Sequence, residues 1–170
     1  MGYAAIVRCN CYRDGLTTEP PHKEYVQVDE EGVYINLDEL GLTKTTRLAW
    51  YLEFDSWQMK ACIHPDMHYA YEHLQNISGM ANFRSTLAKL NAPRRFQALN
   101  QYLPVANSGA LPIEHAATAL QEINALSMEY IMAFESTKLV QVGIRHAYIL
   151  DALRRVLTAS LETNNPVIWI

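Results

Sequence analysis

Short apolar segments typical of strands lie at both ends of this 170-residue chain, and apolar residues between them recur mostly at helical spacing. Residues 3–9 are partly β-branched and run into the turn-prone Arg13-Asp14-Gly15, while residues 167–170 form a second β-rich segment. We therefore predict a single α+β domain over residues 1–170, in which a small, mainly antiparallel sheet built from N- and C-terminal strands packs against a set of helices.

The region from residue 25 to residue 62 is predicted to begin with β structure. Residues 25–28 and 33–37 alternate apolar and polar side chains around Asp29-Glu30-Glu31-Gly32, which is typical of a hairpin. Residues 47–54 have apolar side chains at every second position, although their composition would also suit a helix, and we favour a strand. Asp55 would then cap a short helix that ends near Cys62.

After residue 64 the spacing of apolar residues is helical. Pro65 suits a first helical position with His64 as its cap, and Met67, Ala70 and Leu74 follow at helical intervals. The remaining predicted elements are a helix from Ser78 to Leu90, a short helix from Pro93 to Leu103, a loop at Asn107-Ser108-Gly109, the longest helix from Pro112, a strand at 138–142 and an amphipathic helix at 145–162.

Composition and charge narrow the classes of partner. The formal charge of −4 and pI near 5.8 argue against nucleic-acid binding, which needs a basic face. The chain has no run of about 18 apolar residues, so we expect no membrane partner. The odd number of cysteines agrees with a reducing compartment, and with no signal peptide at the start we expect a soluble cytoplasmic protein.

The three cysteines of the chain lie in two short motifs, Cys9-Asn10-Cys11 and Cys62-Ile63-His64. Zinc prefers four tetrahedral nitrogen and sulfur ligands, and the two motifs together supply that number. Each pair is separated by one residue, which is shorter than the usual two to four, but side chains two apart on an extended strand share a face. The sequence therefore indicates a zinc site formed by Cys9, Cys11, Cys62 and His64.

Two other interpretations of these residues stay open. Free cysteine is often buried, so Cys9 and Cys62 would serve as small core residues while His64 only caps a helix. Alternatively, Cys62 would act as a nucleophile beside His64, His73 or His115. The chain has no G-x-S-x-G elbow and no glycine-rich phosphate loop, so we do not predict an enzyme. His68 and Glu72 are expected on a solvated helix face.

Acidic residues cluster at the predicted hairpin. Asp29, Glu30 and Glu31 lie at its tip, and Asp38 and Glu39 follow its second strand. Such residues usually keep a turn soluble. They would also complement a basic protein partner and speed its association, so we consider them candidate contact residues.

Three stretches of the chain, CNCYRDGLTTEPP, FDSWQMKACIHPDMHYAYEHLQNISGMANFRSTL and YLPVANSGALPIEHAATALQEI, resemble a group of small, uncharacterised bacterial cytoplasmic proteins. We associate this group with the immunity partners of polymorphic toxins. The resemblance implies a binding protein that neutralises a cognate protein toxin by direct contact and has no active site of its own. It covers about two-thirds of the chain and departs at the helix predicted over 145–162.

Overall fold

The computed structural model describes residues 2–38, 40–90, 96–105, 109–137 and 140–170, and within these ranges it describes only the backbone of residues 90, 127–137 and 140–145. The described strands are β1 (Gly2–Arg8), β2 (Val26–Val28), β3 (Val33–Ile35), β4 (His68–Asn76), β5 (Ala110–Leu111) and β6 (Val167–Trp169). The described helices are α1 (Lys44–Gln58), α2 (Ile77–Leu90), α3 (Gln97–Tyr102), α4 (Ile113–Thr137) and α5 (Val140–Thr163). The α+β prediction is confirmed.

The main sheet contains strands from both ends of the chain, as predicted. Its order is β4-β1-β6-β5. Strand β6 runs antiparallel to β1, with Ala5 opposite Trp169, and antiparallel to β5, with Leu111 opposite Val167. The backbone groups of Ala4 and Ile170 exchange two hydrogen bonds of 2.9 and 3.0 Å, which join the two ends of the chain.

The chain forms two compact units, and each is described by itself. The first, here called the helical unit, contains residues 1–7 and 70–170. Its core contains the buried Phe83, Leu87, Phe96, Ile123 and Leu157. Residues 8–69 form the second, here called the cysteine unit. The prediction of one domain over residues 1–170 stays a prediction.

A buried carboxylate organises the helical unit. Glu122 of α4 is 9% exposed, and its two carboxylate oxygens accept hydrogen bonds from the backbone N–H groups of Ala98 (3.1 Å) and Leu99 (2.9 Å) in the first turn of α3. These N–H groups have no partner within their own helix, and a negative charge at a helix N-terminus is favourable. Glu122 therefore caps α3 from a distant part of the sequence.

We expect Glu122→Ala to lower the free energy of unfolding of the protein by about 2–3 kcal/mol, because two buried donors lose a charged acceptor. Glu122→Gln keeps one acceptor oxygen, so its loss should be about half as large. Urea denaturation followed by circular dichroism measures both, with the exposed neighbour Gln121→Ala as the control. A loss below about 0.5 kcal/mol in the alanine variant would contradict the capping role.

The cysteine unit contains the predicted hairpin and helix α1. Strands β2 and β3 pair antiparallel, with Val26 opposite Ile35 and Val28 opposite Val33, so the hairpin prediction is confirmed. Helix α1 begins after Thr43, whose side-chain oxygen accepts the backbone N–H of Thr46 at 3.2 Å. Residues that are buried together form the core of the unit: Cys9, Cys11, Ile35, Leu37, Phe54, Trp57, Ala61 and Met67.

Two predictions for residues 47–58 are wrong. Residues 47–54 belong to helix α1, and Asp55 lies inside that helix instead of capping a new one. The apolar side chains at alternate positions point to different sides of the helix, since Phe54 is buried and Leu48 and Leu52 are exposed. The cap at Thr43 and the helix-compatible composition outweigh the period-two pattern.

The helix predicted from Pro65 is also wrong. Residues Pro65–Met67 form one 3-10 turn, in which His64 makes no side-chain cap hydrogen bond, and strand β4 follows at His68. Asp66 and Met67 have φ values of 53° and 56°, a left-handed conformation that ends a right-handed helix. His68 and Glu72 therefore lie on a strand instead of a helix face.

Other predictions fall partly on residues that are not described. Residues 140–142 begin helix α5, which contradicts the strand predicted there, while residues 138 and 139 lie outside the described residues. Pro93, Asn107 and Ser108 also lie outside them, and the described part of the helix predicted from Pro93 is α3. The long helix after Pro112, the helix over 145–162 and the last strand are confirmed.

Candidate metal centre

The first pair of candidate ligands lies where strand β1 ends. The backbone N–H of Cys9 donates to the carbonyl oxygen of Met67 at 2.9 Å, so Cys9 keeps the extended geometry of the strand. The chain then turns, and the N–H of Leu16 donates to the carbonyl oxygen of Cys11 at 2.7 Å. These two hydrogen bonds hold the Cys9-Asn10-Cys11 segment at both ends.

The second pair lies in the loop after helix α1. The backbone N–H of Thr18 donates to the carbonyl oxygen of Ala61 at 3.0 Å, and the N–H of Met67 donates to the carbonyl oxygen of His64 at 3.0 Å. Because the carbonyl oxygen of Met67 also accepts the N–H of Cys9, Met67 is hydrogen-bonded to both segments that carry candidate ligands. The loop therefore brings Cys62 and His64 to the turn that carries Cys9 and Cys11.

The four candidate ligand atoms lie close enough together to bind one metal ion. Cys9 Sγ lies 3.7 Å from Cys62 Sγ, and His64 Nδ1 lies 3.2 Å from Cys11 Sγ and 4.0 Å from Cys62 Sγ. All four atoms lie within 4.8 Å of one another. Zinc bonds of about 2.3 Å to sulfur and 2.0–2.1 Å to nitrogen place tetrahedral ligands about 3.8 Å (sulfur to sulfur) and 3.6 Å (sulfur to nitrogen) apart. These three separations agree with the ideal values to within about half an ångström, and every other pair of ligand atoms lies within 4.8 Å.

The same distances bear on the other interpretations. A disulfide bond requires about 2.05 Å between sulfurs, and all three cysteines are free. Cys9 and Cys11 are buried in the core of the cysteine unit, as the core interpretation expects. In that interpretation His64 Nδ1 would be a hydrogen-bond partner of the Cys11 and Cys62 sulfur atoms, at 3.2 and 4.0 Å.

Burial sets the protonation of Cys9 and Cys11 when no metal is bound. It raises the pKa of the Cys9 thiol to about 12, although a backbone hydrogen bond from Cys11 opposes this shift. Burial also raises the pKa of Cys11. Both thiols are therefore protonated at neutral pH, and a metal ion must displace their protons to bind.

Arg8 is a basic residue beside this cluster. Its guanidinium Nη1 donates to the carbonyl oxygen of Asp66 at 3.0 Å, and Cys9 is the first of the groups whose charge acts on it. Burial lowers the pKa of Arg8, and Cys9, Asp66 and Glu31 oppose that shift. Three thiolates, a neutral imidazole and Zn²⁺ would carry a net charge of −1, and the positive charge of Arg8 would partly offset it. The sequence signals this residue only by its position directly before Cys9.

We expect metal affinity to rise steeply with pH. At least the Cys9 and Cys11 thiols lose a proton on binding, so the apparent association constant for Zn²⁺ should rise about 100-fold per pH unit between pH 6 and 8. Calorimetric titration in buffers of different ionisation enthalpy counts the protons released. Release of fewer than about two protons per metal ion would contradict binding through both thiols.

The residues considered for catalysis belong to both units of the chain. Cys62 and His64 are neighbours within the candidate metal centre. In the helical unit, the ring of His73 lies edge-on to Tyr71 at 5.1 Å, and the ring of His115 stacks on Tyr102 at 4.7 Å. A surface depression of about 440 Å³ beside α1 is lined by Pro21, Leu52, Glu53, Ser56, Trp57 and Lys60, and by none of these cysteine and histidine residues.

The predicted acidic contact residues differ in their surroundings. Asp29 Oδ1 accepts the backbone N–H groups of Glu31 (2.8 Å) and Gly32 (3.0 Å), so this carboxylate shapes the hairpin turn. Glu30 and Glu31 are exposed at the tip. The exposed Asp38 lies 3.4 Å from the guanidinium of Arg47. Glu39 lies outside the described residues.

The strand that replaces the predicted helix carries one further ion pair. Glu72 accepts two hydrogen bonds from the guanidinium of Arg155 in α5, at 2.6 and 2.8 Å. The expectation that Glu72 is only solvated is therefore wrong. His68 is half-buried, and burial lowers its pKa.

Comparisons with known proteins return no relative: no family model, no curated protein and no solved structure matches the chain. Among the described residues, no helix has the length and apolarity that crossing a bilayer requires.

Proposed function

We propose that this protein binds one zinc ion through Cys9, Cys11, Cys62 and His64, and that the ion has a structural role in the cysteine unit. The observation that carries the proposal is the mutual distance of the four candidate ligand atoms, which all lie within 4.8 Å of one another. Four protein ligands saturate a tetrahedral ion and leave no position for water or substrate, as in structural zinc sites. The chemistry of the donor set supports zinc because thiolate and imidazole are its usual ligands.

Titration of the reduced, metal-free protein with Co²⁺ tests this proposal. A site with three thiolates and one imidazole should give intense visible absorption and sulfur-to-cobalt charge transfer at a 1:1 ratio, and Zn²⁺ should then displace the cobalt. His64→Ala should weaken binding by about 10- to 100-fold or more, whereas His115→Ala, in the helical unit, should leave it unchanged. Absorption typical of octahedral oxygen coordination, or equal metal affinity in His64→Ala and His115→Ala, would contradict the proposal.

We also propose, on the resemblance to immunity proteins, that the zinc-binding protein neutralises a cognate protein toxin by direct contact. Charge distribution supports a basic partner. Between Arg8 and Tyr69 the sequence has six basic and eleven acidic residues, a formal charge of −5, while the rest of the chain carries +1. Glu30, Glu31 and Asp38 are exposed and are the candidate contact residues.

Co-purification with the toxin-like product of the neighbouring gene tests this second proposal. We expect a stable complex whose association rate falls with added salt and falls at least about tenfold in the Glu30→Lys, Glu31→Lys double variant. The matched control is Glu114→Lys, an exposed acidic residue of the helical unit. A neighbouring product that has toxin activity but neither binds nor is inhibited would remove the proposal.

A further inference from the structure

Helix α1 presents apolar side chains on the side away from its core contacts. Leu48, Leu52 and Met59, which directly follows the helix, are 59%, 56% and 63% exposed. Phe54 and Trp57 of the same helix are buried. At 100° per residue, the three exposed side chains lie within about 40° of one another around the helix axis. They form an exposed stripe about 16 Å long, here called the α1 stripe.

The charges beside the α1 stripe are arranged against the helix dipole. Lys44 lies in the first turn of α1 and Asp55 in its last turn, although a helix favours acidic residues at its N-terminus and basic residues at its C-terminus. Among the residues that the structure describes, neither side chain has an ion-pair partner. Arg47 and Glu53 of the same helix are paired, with Asp38 and His22 respectively.

We propose that the α1 stripe is a homodimer interface, in which α1 packs antiparallel against α1 of a second copy of this chain. A two-fold axis at the level of residue 50 places Leu48 of one copy opposite Leu52 of the other. It also places Lys44 within about one residue, or 1.5 Å along the axis, of Asp55 of the other copy. Lys44 and Asp55 lie on the same flank of the stripe. In an antiparallel helix pair with a two-fold axis, this flank of one helix faces the same flank of the other.

The observations favour a second copy over a different partner. The stripe is self-complementary, because one rotation pairs Leu48 with Leu52 twice and Lys44 with Asp55 twice, as an isologous interface requires. A uniformly basic or acidic partner would match only one of the two charges. Antiparallel packing also places each helix N-terminus beside the other helix's C-terminus, which compensates the unfavourable order of charges in each. The surface depression whose lining includes Leu52, Ser56 and Trp57 adjoins the α1 stripe through Leu52.

Charge reversal at the two ends of α1 tests this interface. Sedimentation equilibrium of the metal-loaded wild type should show a concentration-dependent rise from 19.4 kDa toward twice that mass, over protein concentrations up to about 0.5 mM, as expected for a small interface. Lys44→Glu and Asp55→Lys should each weaken dimerisation at least about tenfold, because like charges then face each other twice. The double variant restores opposite charges and should return dimerisation to within about threefold of wild type.

Leu48→Glu should leave the protein monomeric at all concentrations while its circular dichroism is unchanged, since Leu48 is exposed within one copy. Val105→Glu is the control, because Val105 is also exposed (72%) but lies in the helical unit. A wild type that stays monomeric, or a double charge reversal that dimerises no better than the single variants, would overturn the proposal. Dimerisation that Val105→Glu abolishes and Leu48→Glu does not would overturn it too.

Discussion

A Cys11→Ser variant is expected to lose zinc binding and most of the ordered structure between Arg8 and Tyr69. The cysteine unit is about 60 residues long, a size at which a hydrophobic core alone supplies about 3–5 kcal/mol. Structural zinc contributes about 10–16 kcal/mol in small zinc domains, so the ion should stabilise the unit more than its core does. Hydrogen exchange with peptide resolution measures the effect. Amide protection should fall by about a hundredfold or more in residues 8–69, because the opening free energy of the unit drops by several kcal/mol.

Removal of the metal from the wild type provides the matched control. A chelator should produce the same loss of protection in residues 8–69, and added Zn²⁺ should reverse it in the wild type but not in Cys11→Ser. The buried residues of the helical unit, such as Phe83 and Ile123, should keep their protection in both cases. Unchanged protection in Cys11→Ser would mean that the cysteine is only a core residue.

A Trp57→Ala variant is expected to have the second largest effect, a loss of about 3–5 kcal/mol in the stability of the cysteine unit. Trp57 is buried between Phe54 (ring centroids 5.2 Å apart) and Tyr12 (6.1 Å), and its indole Nε1 donates to the side chain and carbonyl oxygen of Thr18. Thr18 also donates its N–H to Ala61, directly before Cys62. Loss of the indole therefore removes both core volume and support for the loop that carries two metal ligands.

Denaturation of the metal-loaded variant, monitored by release of zinc to a chromogenic chelator, measures this loss. Trp57→Phe keeps the ring contacts but not the hydrogen bond, so it should cost about 1–2 kcal/mol. The apparent zinc affinity should also fall, and it should fall further in Trp57→Ala than in Trp57→Phe, because zinc binding is coupled to folding of the cysteine unit. A loss of less than about 1 kcal/mol in Trp57→Ala would contradict the view that the indole supports the loop that carries Cys62 and His64.

The sequence was sufficient to predict the helices and strands that have local sequence signals. Periodic apolar residues predicted α2, α4 and α5, and the turn around Gly32 predicted the β2-β3 hairpin. Strand β4 was missed because Met67, Ala70 and Leu74 have helical spacing, whereas Met67 lies before the strand, and Ala70 and Leu74 share one face of it in the sheet. Helix α1 was missed because the cap at Thr43 lay outside the segment whose alternation favoured a strand.

The candidate metal centre was predictable as a set of residues but not as a geometry. Residue type and pairing indicated Cys9, Cys11, Cys62 and His64. Their convergence depends on the hydrogen bond from Cys9 to Met67 and on the left-handed turn at Asp66, neither of which has a sequence signal. The cap that Glu122 provides for α3 is equally invisible, since 23 residues separate it from Leu99.

The most direct test is elemental analysis combined with zinc X-ray absorption on protein purified without added metal. The proposed zinc centre predicts about one zinc ion per chain, with three sulfur ligands at about 2.3 Å and one nitrogen ligand at 2.0–2.1 Å. Less than about a tenth of an equivalent of any transition metal, in protein whose residues 8–69 are still protected from hydrogen exchange, would contradict the zinc centre.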